Sequence, residues 1–162
     1  MVLGMSLAAF TQLHVVISLI GIVSGLIVVF GMLGGKLLHG WNGLFLLTTV
    51  LTSATGFFFP FEGLKPSYIV AAISLLVLAV AIVARYLKNL AGGWRRTYVI
   101  SAVFALYLNV FVLVVQSFMK LPALHALAPQ GNEPPFLIAQ VIVMAIFIGL
   151  GVGAAKKFTL PR

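Results

Sequence analysis

Six polar side chains interrupt long apolar stretches of this chain, and all six can hold a ligand by hydrogen bonding. They are His14, Thr52, Thr55, Asn109, Gln116 and Gln140. His14 shares a helical face with Ser18, Gly21 and Gly25, the face on which a helix can pack most closely. Ionisable groups inside a membrane are costly and therefore suggest function. His14 is thus either a ligand contact or a neutral partner of a neighbouring helix, and the sequence leaves both interpretations open.

The stretch Trp41–Phe61 (WNGLFLLTTVLTSATGFFFPF) is long enough to cross a bilayer, yet it carries a polar stripe. Thr48, Thr52 and Thr55 follow a spacing that places their hydroxyl groups on one face of a helix. Hydrocarbon offers these groups no hydrogen-bond partner, so the segment should turn this face toward other helices. Inter-helical hydrogen bonding alone would also explain the pattern.

A second chemistry open to this chain is haem or divalent metal binding, for example of zinc. His14 and His125 could ligate haem if they approach each other, and Glu62 and Glu133 could join them around a metal. No histidine pair has the HxxxH spacing of a helical metal site. The chain has no cysteine, which excludes thiolate sites and disulfides.

Catalytic motifs and nucleic-acid binding are not indicated. The chain shows no Gly-rich phosphate loop, no nucleophile elbow and no serine, histidine and acid arrangement, so we assign no catalytic residue and do not favour an enzyme. Its net charge of +8 comes from ten Lys and Arg scattered in short connections, which is typical of membrane topology rather than of a nucleic-acid partner.

Composition sets the fold class. The chain is 62% hydrophobic and 7% charged, far from the balance of a soluble domain. A spanning helix needs about 20 apolar residues. Residues 1–162 therefore predict one all-α domain, a bundle of five transmembrane helices in a multi-pass protein of the bacterial cytoplasmic (inner) membrane. The predicted spans are Ala9–Met32, Trp41–Pro60, Tyr68–Leu87, Thr97–Met119 and Phe136–Ala155.

The positive charges predict the orientation of these spans. Eight of the ten fall on one side, and only Lys65 and Lys120 fall on the other. By the positive-inside rule, the amino terminus is outside and the carboxy terminus is cytoplasmic. Trp94, Arg95, Arg96, Lys156 and Lys157 then lie at the cytoplasmic face, where they would hold anionic lipid headgroups.

Small residues recur at helical spacing in the first and last spans. Gly21 and Gly25 form one pair, and Ala145, Gly149 and Gly153 form a ladder. Such residues let helices approach closely in a membrane. The contacts could lie within the bundle, in a homo-oligomer, or against a partner subunit of a larger membrane complex.

Two stretches carry a resemblance. WNGLFLLTTVLTSATGFFFPFEG and LPALHALAPQGNEPPFLIAQ resemble segments of small multi-pass inner-membrane proteins of bacteria that have no known activity. The resemblance implies the membrane location and the multi-pass architecture, and it carries over no catalytic residue.

These observations predict a protein that binds, and could translocate, a small amphipathic or lipid-like ligand. The six polar residues would line a pocket that opens outward, with Phe57, Phe58 and Phe59 at its rim. The alternatives are a haem or metal protein that uses His14 and His125, and an accessory subunit of a larger complex.

Overall fold

The structure, a computed structural model, describes residues 4–59 and 66–158. This part of the chain contains six α-helices and no strand. Their bounds are α1 Leu7–Leu33, α2 His39–Thr55, α3 Pro66–Ile82, α4 Gly93–Lys120, α5 Pro122–Leu127 and α6 Pro134–Lys157. A 3₁₀ turn, Gly56–Phe58, follows α2, and a π-helical segment, Val83–Leu87, follows α3.

Local chemistry explains several helix ends. The Ser6 hydroxyl accepts a hydrogen bond from the Ala9 N–H at 3.2 Å and so caps α1. Gly35, with φ of 76°, follows α1 in a left-handed conformation that favours glycine. Pro134 stands at the first position of α6, where a missing N–H leaves no helical bond unmade.

Within the described residues 4–59 and 66–158, four helical segments are long and apolar enough to cross a membrane. They are Leu7–Leu33, Tyr68–Leu87, Gly93–Lys120 and Pro134–Lys157. The sequence predicts five spans, and these four correspond to the first, third, fourth and fifth. The second predicted span is occupied by α2, a helix of 17 residues, and by the 3₁₀ turn that follows it.

The α4 helix occupies the centre of the bundle, because it contacts α1, α2, α3 and α6. Its inner face is fully buried at Tyr98, Ala102, Ala105 and Leu106. The helices α1 and α2 form the most extensive pair, whereas most of α6 faces outward. Large apolar side chains cover the outer surface of the bundle. Such a surface suits contact with lipid and would be unfavourable in water.

Side-chain contacts show that neighbouring helices run antiparallel. His14 near the start of α1 meets Thr55 at the end of α2, and His39 at the start of α2 meets Arg85 beyond α3. We therefore name two ends of the bundle. The His14 end holds the starts of α1, α3 and α6, and the Arg95 end holds the starts of α2 and α4.

The small residues of α1 and α6 have different surroundings. Gly21 and Gly25 are buried in the bundle, where Gly25 faces Leu106 and Phe45. Gly149 is exposed, and no atom lies within 4 Å of the Cβ position that a larger residue would occupy. The α1 pair therefore serves packing inside the bundle, while Gly149 faces the surroundings.

Candidate functional site

His14 and Thr55 are joined by a hydrogen bond between α1 and α2. The His14 Nδ1 lies 2.8 Å from the Thr55 Oγ1. Thr55 donates its single hydroxyl hydrogen to the Leu51 carbonyl at 2.6 Å, so it accepts from His14. His14 then carries a hydrogen on Nδ1. The hydrogen bond ties the two helices together.

Aromatic rings close the space around His14. The Phe59 ring packs edge-on to the imidazole, with centroids 5.1 Å apart, and Phe10 packs against Phe59 at 4.9 Å. Phe10 is buried, whereas Phe57 and Phe58 are exposed. Of the three phenylalanines predicted at a pocket rim, Phe59 is therefore the one that contacts His14.

A second polar cluster lies deeper, where α1, α2 and α4 meet at Gly21. A Cβ on Gly21 would stand 3.2 Å from the hydroxyl oxygens of Thr48 and Thr49 and 3.3 Å from the Asn109 Nδ2. Asn109 donates from Nδ2 to the Ser18 carbonyl at 3.4 Å. The glycine allows these polar groups to approach the α1 backbone, and Asn109 links α4 to α1.

The other predicted ligand contacts are dispersed. Thr52 donates to the Thr48 carbonyl of its own helix at 2.7 Å. Gln140 donates from Nε2 to the Phe111 carbonyl at 3.3 Å, between α6 and α4, and Gln116 is half-buried on α4. The structure thus pairs His14 with Thr55 and distributes the rest over separate helix contacts. The outward-facing pocket stays a prediction.

Three of the residues considered for haem or metal binding, His14, His125 and Glu133, make other contacts. The His125 Nδ1 lies 3.3 Å from the Phe118 carbonyl, at the junction of α4 and α5. Glu62 lies outside the described residues. Within residues 4–59 and 66–158, no group of three or more His, Cys, Asp or Glu side chains could hold a metal ion.

Glu133 caps a tight turn before α6. Its carboxylate accepts hydrogen bonds from the N–H groups of Gln130, Gly131 and Asn132 at 2.9, 3.1 and 3.3 Å. Desolvation opposes ionisation, but the backbone hydrogen bonds outweigh it and hold the pKa of Glu133 below its usual value. The carboxylate therefore serves its own turn rather than a shared metal site.

Two adjoining cavities, both open to the surroundings, lie at the Arg95 end, away from the predicted residues. The first, of about 290 Å³, is lined by Gly92, Gly93, Arg95, Arg96, Thr97 and Ile100. The second, of about 320 Å³, is lined by Val77, Val80, Thr97, Ile100, Ser101 and Phe104. Because Thr97 and Ile100 line both, a basic opening adjoins an apolar groove between α3 and α4.

This pair of cavities was missed by sequence reasoning, which treated Arg95 and Arg96 only as surface anchors. The available signal was Gly92-Gly93 directly before the two arginines. Gly92 has φ of 55°, and its lack of a side chain leaves the amino end of α4 open. Arg95 also carries a buried Nη1 with no hydrogen-bond partner in the protein.

The function of this site is inferred from its geometry, because comparisons with known proteins found no match. No protein-family model, no curated protein and no solved structure matches this chain.

Proposed function

We propose that this chain is a five-span protein of a bacterial cytoplasmic membrane that binds a small amphipathic or lipid-like molecule with an anionic head. The ligand belongs to the class expected from the sequence, and its binding site is the groove at the Arg95 end. The observation that carries it is that an arginine-lined opening and an apolar groove lie side by side, with Thr97 and Ile100 lining both.

The fifth span in this proposal is α2 together with its 3₁₀ turn. Seventeen α-helical residues extend about 26 Å at a rise of ~1.5 Å each. The three residues of the 3₁₀ turn add about 6 Å. The combined length of ~32 Å is comparable to the ~30 Å thickness of a bilayer core.

The orientation follows from where the cations lie. Seven described Lys and Arg residues are at the Arg95 end, and Lys120 is at the His14 end. The positive-inside rule then makes the Arg95 end cytoplasmic and the amino terminus external. Five spans put the two termini on opposite sides of the membrane, whereas four spans would put them on the same side. Reporter fusions at both termini distinguish these outcomes, and equal accessibility would contradict the five-span topology.

The electrostatics of the opening favour an anionic head. Arg95 and Arg96 bring two positive charges beside the amino end of α4, where no side chain caps the helix and the helix dipole also favours negative charge. The buried Nη1 of Arg95 lacks a partner that an anion would supply. Each Lys or Arg near an anionic lipid surface is worth about 1 kcal/mol.

The apolar groove suits a hydrocarbon tail. Val77, Val80, Ile100 and Phe104 supply aliphatic and aromatic surface, and the two hydroxyl groups in the groove are already engaged. Thr97 donates to the Gly93 carbonyl at 3.1 Å, and Ser101 donates to the Thr97 carbonyl at 2.7 Å. The groove therefore presents little unsatisfied polarity to a tail.

Native mass spectrometry from mild detergent, with added phosphatidylglycerol or phosphatidylcholine, tests the headgroup contact. Replacing Arg95 and Arg96 together with Gln should weaken phosphatidylglycerol binding by about thirtyfold, since about 2 kcal/mol is lost. The matched control replaces Lys156 and Lys157, which lie at the same end but line neither cavity. Equal loss in both variants, or no preference for phosphatidylglycerol, would contradict the proposal.

A second pair of variants tests the groove. Ile100→Trp should fill it and block tail binding. Ile146→Trp on α6 is the control, because Ile146 is 54% exposed and Ile100 is 56% exposed, yet only Ile100 lines the groove. Unchanged lipid binding in Ile100→Trp would rule out this groove.

A further inference from the structure

A group of buried polar side chains without protein partners lies between α2, α3 and α4 at the Arg95 end. Asn42 and Tyr98 are both 0% exposed. Neither amide atom of Asn42 nor the hydroxyl of Tyr98 has a hydrogen-bond partner in the protein, and the Arg85 Nε is buried and unpartnered as well. Buried polar groups are almost always hydrogen-bonded, so a cluster of exceptions calls for a ligand.

Contacts join the helical segments that carry these side chains. Arg85 donates from Nη2 to the His39 Nδ1, because a guanidinium has only donors to offer. His39 and Asn42 are three residues apart on α2, which places them on one face of that helix. The segment Val83–Leu87, which carries Arg85, also contacts α4, the helix that carries Tyr98. Three helices therefore direct polar groups to one region.

The backbone around Arg85 departs from the α-helical conformation of α3. Arg85 belongs to the π-helical segment Val83–Leu87 at the end of α3, and such segments are frequent at functional sites. Ala81 and Ala84 beside it are fully buried, so the segment packs tightly against its neighbours. No side chain caps the amino end of α2, where N–H groups favour negative charge.

The charge balance identifies the missing partner as an anion. A partly buried guanidinium needs a negative partner, and His39 supplies only a neutral acceptor. The chain has two acidic side chains. Glu133 belongs to a turn at the His14 end, and Glu62 lies outside the described residues. Across the described ranges, no carboxylate accompanies Arg85.

We propose that Arg85, Asn42 and Tyr98 form a binding site for a small oxyanion of the phosphate or carboxylate type, oriented by His39. The guanidinium, the amide and the hydroxyl each provide a donor to the same anion. The anion is either free in solution or the head of a lipid. The site does not depend on the groove of the proposed function, since none of these residues lines either cavity.

The first experiment measures binding of inorganic phosphate to the protein in detergent. Binding is detected by thermal unfolding and by isothermal titration calorimetry. Tyr98→Phe is the main variant, because it removes one donor and keeps the ring in place. Tyr107→Phe on the same helix is the control. Tyr98→Phe should weaken phosphate binding about tenfold or more, as loss of a hydrogen bond to a charged group predicts, and Tyr107→Phe should leave it unchanged.

A second measurement separates the two sources of the anion. Nanodiscs with phosphatidylglycerol are compared with nanodiscs of phosphatidylcholine in the absence of phosphate. If phosphate has no effect but phosphatidylglycerol stabilises the wild type and not Tyr98→Phe, the site holds a lipid head. Stabilisation by phosphate in detergent identifies a site for a free oxyanion.

Arg85→Gln should abolish binding of both probes, with Lys36→Gln as the control for the loss of one positive charge. If Arg85→Gln fails to fold, Tyr98→Phe and Asn42→Ala decide the matter. The proposal is overturned if neither probe stabilises the wild type, or if Tyr98→Phe and Tyr107→Phe respond alike.

Discussion

Gly25 and Gly149 both lie in helix interiors, and replacement with alanine should leave the Gly25 variant less stable than the Gly149 variant. A Cβ on Gly25 would lie 2.7 Å from the Leu106 Cδ1 and 2.9 Å from the Phe45 Cδ1, well inside normal contact distance. Leu106 and Phe45 are both 0% exposed, so neither can move aside into free space. A Cβ on Gly149 meets no atom within 4 Å.

The difference in stability between Gly25→Ala and Gly149→Ala depends on packing alone, because the gain in helix propensity is the same in both variants. Replacing glycine with alanine inside a helix gains about 1 kcal/mol of helix propensity at either position. Overpacking a tight core costs about 1–3 kcal/mol, and this cost applies only to Gly25→Ala. For a chain of this size, each kcal/mol shifts Tm by about 2–4 °C. Gly25→Ala should therefore unfold about 2–12 °C below Gly149→Ala.

Thermal unfolding in mild detergent, read as the folded fraction on size-exclusion chromatography, measures this difference directly. Wild-type protein is run beside both variants at the same concentration. Gly149→Ala should match or exceed the wild type in Tm. If Gly149→Ala lowers Tm as much as Gly25→Ala does, then the assignment of Gly25 to the bundle interior and of Gly149 to the outside is refuted.

Two further predictions concern the His14 end. Thr55→Val removes the acceptor of the His14 imidazole and should lower the free energy of unfolding by about 1 kcal/mol, seen as a fall in Tm of about 2–4 °C. Adding His14→Ala to Thr55→Val should then cost less stability than His14→Ala costs in the wild type, because the hydrogen bond is already lost. No interaction between the two substitutions would contradict the bond. Glu133 should titrate below its usual pKa of 4.5 in a carboxyl NMR titration. Because the pKa of Glu133 is lower in the folded than in the unfolded state, the carboxylate stabilises the turn fully above the unfolded-state pKa. This stabilisation is lost as the pH falls through the folded-state pKa. Faster amide exchange at Gly131 over that acidic range should mark the loss, and Glu133→Gln should abolish this pH dependence.

Hydropathy predicted the helices of this protein closely, because it depends on each segment alone. The first and third predicted spans, Ala9–Met32 and Tyr68–Leu87, fall within or match the observed segments Leu7–Leu33 and Tyr68–Leu87. The second helix shows the limit of this reasoning. Its α-helical part ends at Thr55 rather than at Pro60, since the chain tightens into a 3₁₀ turn after Thr55.

Periodicity also predicted which face of a helix is polar, and it was less informative about partners. It placed Thr52 and Thr55 on one face, and Thr55 does meet His14. Both hydroxyl groups donate to their own helix, because the carbonyl one turn earlier is within reach of a threonine hydroxyl, and Thr55 in addition accepts from His14. No sequence pattern distinguishes these two outcomes.

The membrane class of this protein is determined by the sequence itself, since the transfer of apolar residues into lipid sums over local segments. The tertiary structure decides which glycine is crowded, which arginine lacks a counterion and where a groove opens. Those properties depend on how each helix is rotated against its neighbours. That rotation is set by the shape of all the contacting side chains together, as at Gly25 between Phe45 and Leu106.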